Sequence, residues 1–203
     1  RSSVTINVGG PTPDPRDVIA LAQGLRILLL DVDGVMTDGG IILSGESEET
    51  KRFDVQDGMG VNLARTAGLQ VGIVTSRTSA VVERRAKELS LDILYQGIGK
   101  KSQVIPQLRQ DLSLEPGELA FIGDDLQDIP IMSRVGLPIA VQNAAQAVKE
   151  RSVYVTSAPG GHGAVREAVE WLLELRGDIN RAYYRSPEEE AEWKAERDKL
   201  KDA

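Results

Sequence analysis

The stretch LLLDVDGVMTDGG, residues 28–40, decides the fold. Together with Ile27 its first half is an apolar run without alternation. Such a run reads as a strand buried on both faces, the pattern of a central parallel strand covered by helices. Its second half delivers Asp31 and Asp33 into a glycine-rich turn. Two carboxylates at the tip of a buried strand are costly unless a cation or a proton is shared there. Taken alone, the pair fits ordinary turn chemistry equally well, with each Asp capping the loop through its side chain.

Three further signals each follow a predicted strand. Val71 to Val74 ends in Thr75, Ser76 and Arg77; Lys100 and Lys101 follow Gly99; and Leu119 to Ile122 runs into Gly123, Asp124, Asp125 and Asp128. Between these strands lie amphipathic segments that read as helices: Asp57 to Ala67 closed by Gly68, Ser79 to Leu89, Ser102 to Leu112, Asp128 to Val135 closed by Gly136, and Gly163 to Arg176 closed by Gly177. Strand followed by helix, repeated, predicts an α/β fold, a three-layer Rossmann-like doubly wound parallel sheet. In such a sheet the carboxyl ends of the strands share one edge, so the acids, the threonine and the lysines converge in one crevice. Pro106 and Pro130 fall near helix starts, where a missing amide donor is tolerated, with Pro106 deep enough to kink its helix.

The chain divides into residues 1–24, a Gly- and Pro-rich lead-in arm with a short helix from Asp14 to Gln23; residues 25–177, the α/β domain; and residues 178–203, a charged C-terminal extension. One insertion, at about 38–57, breaks the alternation. Ile41 to Leu43, a Ser44-Gly45-Glu46 turn and Lys51 to Val55 read as a β-hairpin projecting from the edge that carries the acids. A lone hairpin with apolar residues is marginal in water, so this one is expected to pack on something. In the extension, Ser186-Pro187-Glu188-Glu189 is a helix start with a cap, a proline and acids suited to the helix dipole, and Glu190 to Lys201 continues it as a charged helix.

With 203 residues the chain can bury one sizeable core. Its 24 basic against 31 acidic side chains give a net charge of -7, so no general attraction to nucleic acid is expected. Absence of cysteine excludes a disulfide framework and thiol catalysis and is compatible with a reducing cytosol. Apolar runs are strand-length and no signal-peptide pattern opens the chain, so no membrane association is expected.

The ordered set DVDGV, VTSR, lysine and GDDLQD resembles the four motifs of the haloacid dehalogenase superfamily of phosphotransferases. FDVQDGMGV, GIVTSR, ILYQG, FIGDDLQDIPIM and GGHGAVREAV extend the likeness to its small, capless branch, typified by 3-deoxy-D-manno-octulosonate 8-phosphate phosphatase, over about Leu25 to Gly177. The resemblance implies a magnesium-dependent phosphomonoesterase without a separate cap domain. Asp31 would be the nucleophile and a metal ligand, and Asp33 the acid and then base, its backbone carbonyl also on the metal. Thr75 would donate to the phosphoryl group and Lys101 neutralise it, Lys101 being preferred to Lys100 by the spacing YQG-x-x-x-K. Asp124 would bind Mg2+ directly, while Asp125 would hold a metal-bound water or orient Lys101, and Asp128 would cap its helix. Ser76, Arg77, Arg85 and Arg52 are the candidates for reading a phosphorylated sugar acid, with Arg85 also fitting a solvated helix face. Gln56 and Asn62 stand where that branch carries basic residues, which leaves a nonulosonate 9-phosphate or another sugar phosphate as the alternative substrate. His162, the only histidine, shapes its loop or touches substrate. The likeness further implies a cytoplasmic homotetramer whose hairpins associate, with Tyr183, Tyr184 and Arg185 near a neighbouring active site.

Two other functional classes fit the sequence less well. A catalytically idle oligomerisation domain is disfavoured by the intact set Asp31, Asp33, Thr75, Lys101 and Asp124. A phosphoacceptor signalling module is disfavoured by motif order, since there the lysine comes last.

Overall fold

The computed structural model describes residues 14–44, 48–91 and 93–184, with isolated positions at 188, 191, 192 and 195. The arm before Asp14, the hairpin turn at Gly45 and Glu46, Arg185, the helix start at Ser186-Pro187 and most of the helix Glu190 to Lys201 lie outside them. In chain order the elements are α1 (Pro15–Gly24), β1 (Ile27–Leu30), β2 (Ile42–Ser44), β3 (Glu48–Thr50), α2 (Val55–Thr66), β4 (Gln70–Val74), α3 (Ala80–Glu88) and β5 (Ile93–Tyr95). There follow α4 (Val104–Leu112), β6 (Leu119–Gly123), α5 (Ile129–Met132), β7 (Leu137–Ala140), α6 (Gln146–Lys149), β8 (Tyr154–Val155), α7 (Ala164–Arg176) and α8 (Ile179–Tyr184).

Six strands form one parallel sheet in the order β5-β4-β1-β6-β7-β8. Its centre is β1, in register with β4 on one side (Leu30 opposite Ile73) and β6 on the other (Leu30 opposite Ile122). Ile27 to Leu30 and all of β6 are buried, as a strand covered on both faces must be. From β1 the chain winds outward through β4 and β5, then crosses over to β6 and winds the other way. Right-handed crossovers put the helices of the two halves on opposite faces, and the reversal opens a crevice beyond the carboxyl ends of β1, β4 and β6.

α7 packs on both α1 and α2, with Val165, Ala168, Val169, Leu172 and Leu173 buried. α1, the short helix expected in the lead-in arm, packs into the same core through Val18 and Ala22, and Asp14 caps it through the Arg16 amide at 2.9 Å. Asp57 ties α2 to α7, its buried carboxylate accepting from the Val165 amide at 3.0 Å and the Arg166 amide at 3.2 Å. These are orphan donors of the first turn of α7, so a side chain from another helix serves as its cap. Burial pulls the Asp57 carboxyl upward against these hydrogen bonds.

Some expectations are corrected. α2 begins at Val55, two residues before the expected Asp57, capped by Asp54 through the Gln56 amide at 2.7 Å, so Asp57 and Gly58 belong to its first turn. The second hairpin strand is Glu48–Thr50, not Lys51 to Val55; β2 and β3 pair antiparallel, Leu43 opposite Glu49. Beyond Thr50 the chain turns in, burying Lys51. The segment after Gly123 coils first as a 3-10 turn, Leu126–Asp128, and leaves only four residues for α5, because Asp128 is drawn inward. Pro106 is the third residue of α4, within its first turn, where its absent amide costs nothing. A short α8 opens the extension. Among the described residues there is no cap domain, and no helix is long and apolar enough to cross a membrane.

Candidate active site

Asp31 ends β1, its amide bonded to the Ile122 carbonyl at 3.0 Å, which holds the strand tip against β6. The amides of Met36 and Thr37 turn back onto the Val32 carbonyl, so the chain folds over immediately after Asp33. Gly34 makes this possible: it sits at φ +90, and a Cβ there would lie 2.0 Å from Asp124 Oδ2. Asp124 follows β6 and Thr75 follows β4, so three strand ends converge as the topology requires.

Lys101 lies at the centre. Its side chain is 1% exposed, and Nζ lies 2.7 Å from Asp31 Oδ1 and 2.6 Å from Asp128 Oδ1. Lys100, by contrast, is exposed. Asp128 is fully buried; its second oxygen accepts from the amides of Asp124 at 2.9 Å and Asp125 at 3.3 Å. Contrary to expectation it does not cap α5 with its side chain; from the last position of the 3-10 turn it closes that turn backwards, and it also fixes Lys101. That second role belongs to Asp128 and not to Asp125, which is exposed and accepts from the Leu126 amide at 2.7 Å. The physical reason is spacing: the 3-10 turn brings the fourth residue after Asp124 back under its amide, while Asp125 faces outward.

Carboxylate oxygens of Asp31, Asp124 and Asp128 lie within 4.8 Å of one another, against the single ammonium of Lys101. Asp31 Oδ2 and Asp124 Oδ1 are buried without any hydrogen-bond partner. Burial, and then the charges of Asp31 and Asp128, push the Asp124 carboxyl up to about 8. Burial raises Asp31 as well, against the pull of Lys101. Orphaned acidic oxygens in a dry pocket are what a hard cation fits: it would satisfy both and return the carboxyls to their ionised form.

The Asp33 side chain lies outside this cluster, in an ion pair with Lys51. Thr75 is buried, its hydroxyl oxygen accepting from the Arg77 amide at 3.4 Å. Ser76 Oγ donates to Gln127 at 3.1 Å. Arg77 is held by Glu49 at 2.7 Å, with Nε 3.8 Å from Asp33 Oδ2. Arg52 donates to His162 Nε2 at 2.8 Å, which leaves Nδ1 to donate to the Gly160 carbonyl at 3.0 Å. His162 thus joins the hairpin to the glycine loop. That loop approaches the Gly34 turn so closely that a Cβ on Gly160 would lie 1.8 Å from the Gly34 carbonyl oxygen, and Asn143 bridges the two, donating to that carbonyl at 3.1 Å and accepting from the Gly160 amide at 2.6 Å.

Arg85 has none of its contacts among these groups. It lies over the Phe53 ring at 5.5 Å and reaches Glu88 and the Asp54 carbonyl, each at 3.4 Å. Its neighbours on α3 pair along the helix, Arg84 with Glu88 and Lys87 with Glu83. Asn62 lines a cleft between α2 and α8 together with Arg65 and Tyr183. Three contributors escaped sequence reasoning: the Lys101 contact of Asp128, and the pair Glu49 and Lys51. For Asp128 the signal was present in the four-residue spacing of GDDLQD; for the hairpin pair it was masked by strand boundaries placed too late.

A family of haloacid dehalogenase-like hydrolases matches residues 82–167. The chain is 42% identical over 170 residues to 3-deoxy-D-manno-octulosonate 8-phosphate phosphatase KdsC of Escherichia coli (strain K12), covering 84% of this chain and 90% of that protein. Among solved structures it is similar to the Yersinia pestis 3-deoxy-D-manno-octulosonate 8-phosphate phosphatase, with TM-score 0.78, 40% identity, and coverage of 81% of this chain and 89% of that one. It is also similar to the Moraxella catarrhalis phosphatase of the same name, solved with magnesium, phosphate and KDO, with TM-score 0.79, 36% identity, and coverage of 82% and 96%. Fold, strand-end chemistry and these likenesses agree: the chain is a phosphoric monoester hydrolase and belongs to the capless branch of the haloacid dehalogenase superfamily.

Proposed function

We propose that the chain hydrolyses 3-deoxy-D-manno-octulosonate 8-phosphate with magnesium, through an aspartyl phosphate on Asp31. The observation that carries this reading is the buried constellation of Asp31, Lys101 and Asp128 beside Asp124, with one oxygen each of Asp31 and Asp124 unpartnered. Asp31, Asp124 and the backbone carbonyl of Asp33 would hold Mg2+, with Asp125 toward its water shell. The ion supplies charge neutralisation, lowering repulsion between the nucleophile and the phosphate anion.

Direct attack of water on a phosphate monoester is exceptionally slow, and two displacements make each step accessible. Asp31 attacks phosphorus; Lys101 and the Thr75 hydroxyl stabilise the transferring oxygens. Asp33 protonates the departing sugar oxygen, then takes a proton from the water that cleaves the aspartyl phosphate. Arg77, Ser76 and Arg52 would read the sugar acid, a guanidinium being suited to bidentate capture of a carboxylate. Arg85, held at Phe53 and the Asp54 carbonyl, is not given a part in reading the substrate.

The substrate assignment is supported by the names of the relatives and by the KDO bound in the Moraxella catarrhalis protein. We also propose a cytoplasmic homotetramer. The hairpin leaves Ile41, Ile42 and Leu43 exposed, an apolar strip suited to contact between copies.

Phosphate release from a panel of sugar phosphates, with magnesium or chelator, compares wild type with Asp31→Asn. Metal-dependent turnover strongest on the octulosonate phosphate and lost in Asp31→Asn is expected. A preference for a nonulosonate or hexose phosphate overturns the substrate, and turnover surviving Asp31→Asn overturns the mechanism.

A further inference from the structure

The side chain of Lys51 is 1% exposed, yet the reaction above leaves it without a task. An ammonium is buried only where it is paired and hydrogen-bonded. The partners here are Asp33 Oδ1 and, at 3.2 Å, Glu49 Oε1. Glu49 Oε1 also accepts from Arg77 Nη2 at 2.7 Å, and Arg77 Nε returns to within 3.8 Å of Asp33 Oδ2. Four charges thus alternate in sign around a closed ring of zero net charge. Exposure alternates along the end of the hairpin, Thr50 and Arg52 outward and Lys51 inward, as the pleat of an extended chain dictates. Glu49 and Lys51, two residues apart, therefore face the strand ends together.

We propose that Lys51, steadied by Glu49, is a positioning residue for Asp33. By occupying Oδ1 it fixes the rotation of the carboxyl group and turns Oδ2, which Arg77 Nε approaches only to 3.8 Å, toward the leaving oxygen. The Asp33 proton passes to the ester oxygen of the sugar as the phosphorus–oxygen bond breaks and the bond from Asp31 to phosphorus forms. Lys51 itself exchanges no proton in this step. The hairpin on this account is part of the acid–base machinery and not only a contact between copies. The inference rests on the acid–base role given to Asp33 above.

The test compares kcat/KM on two substrates that differ in their need for a proton. The sugar phosphate expels an alkoxide, which must be protonated; p-nitrophenyl phosphate expels a stabilised phenolate, which need not be. Because kcat/KM ends at the first irreversible step, the ratio isolates the first displacement. Lys51→Met is expected to lower the sugar phosphate value about 100-fold, the cost of a misplaced catalytic group, and the aryl phosphate value only a few-fold. Lys51→Arg is expected to restore most of the difference. Equal losses on both substrates, or no loss on either, overturn the proposal while leaving the phosphatase reading intact. A wild type silent on both substrates overturns the phosphatase reading, and the proposal with it. Should Lys51→Met fail to fold because it strands two carboxylates, the double variant Lys51→Met, Glu49→Gln gives the same comparison with one of them neutralised. A crystal structure of the soluble variant supplies the second readout: a reoriented Asp33 carboxyl supports the proposal, and an unmoved one overturns it.

Discussion

Replacing Lys101 by Met removes the one cation that Asp31, Asp124 and Asp128 share, while nearly preserving side-chain volume. Breaking a buried pair from one side costs about 3–5 kcal/mol, because the remaining charge is uncompensated. Here Nζ serves two carboxylates, at 2.7 and 2.6 Å, in a site where the partners are 2% and 0% exposed. The upper half of that range applies only while the acids stay ionised; two of the three already have raised carboxyl pKa values through burial, so part of the cost is relieved by proton uptake. A chain of this length loses about 2–4 °C of Tm per kcal/mol, so metal-free Lys101→Met is expected to melt roughly 6–16 °C below wild type at pH 8. The deficit should shrink at pH 5, where protons replace the missing ammonium, and added Mg2+ should recover part of it. Differential scanning calorimetry at both pH values, with chelator and with magnesium, measures all three quantities. A Tm within 2 °C of wild type at pH 8, or a deficit that grows at pH 5, would refute the claim that Lys101 neutralises a dry acidic cluster.

Metal removal should change the pH dependence of wild-type stability in a definite sense. Asp124 is raised from 3.8 to about 8, so the metal-free folded protein binds more protons than the unfolded chain between those values, and Tm in chelator should fall as pH rises through that window. Saturating magnesium, which favours the ionised carboxylate, should flatten the slope, and a slope indifferent to the metal would show that Asp124 is not a ligand. Gly34→Ala should lower stability by about 1–2 kcal/mol, since an L side chain is disfavoured at φ +90. The new Cβ, 2.0 Å from Asp124 Oδ2, should also weaken magnesium binding in isothermal titration; unchanged affinity would mean that Asp124 is not held where the geometry puts it.

The layered sheet was legible because it rests on local rules. Ile27 to Leu30 and Leu119 to Ile122 are apolar on both faces, helices alternate with them, and acids at strand tips have few structural uses. Order along the chain then fixed which edge carries the chemistry, since parallel strands bring every carboxyl end together. Exact boundaries were harder, because a buried polar contact can override propensity. Asp128 illustrates this: its pattern reads as a helix N-terminus, and it stands at one, yet its side chain does not cap that helix. Oδ2 turns back to the Asp124 and Asp125 amides and Oδ1 to Lys101, an ion pair across 27 residues that no periodicity encodes. The hairpin is the harder case. Its strands are three residues each, too short for alternation to fix the register, and a shift of one residue exchanges the faces. Whether Lys51 points to solvent or to Asp33 therefore depended on a boundary that only the folded chain supplies. Arg85 makes the converse point. Its place in the sequence invites a substrate role, but Phe53 and the Asp54 carbonyl already engage it. A charged residue in a motif marks chemistry only when its partners in the fold leave it free to act, and those partners come from distant segments.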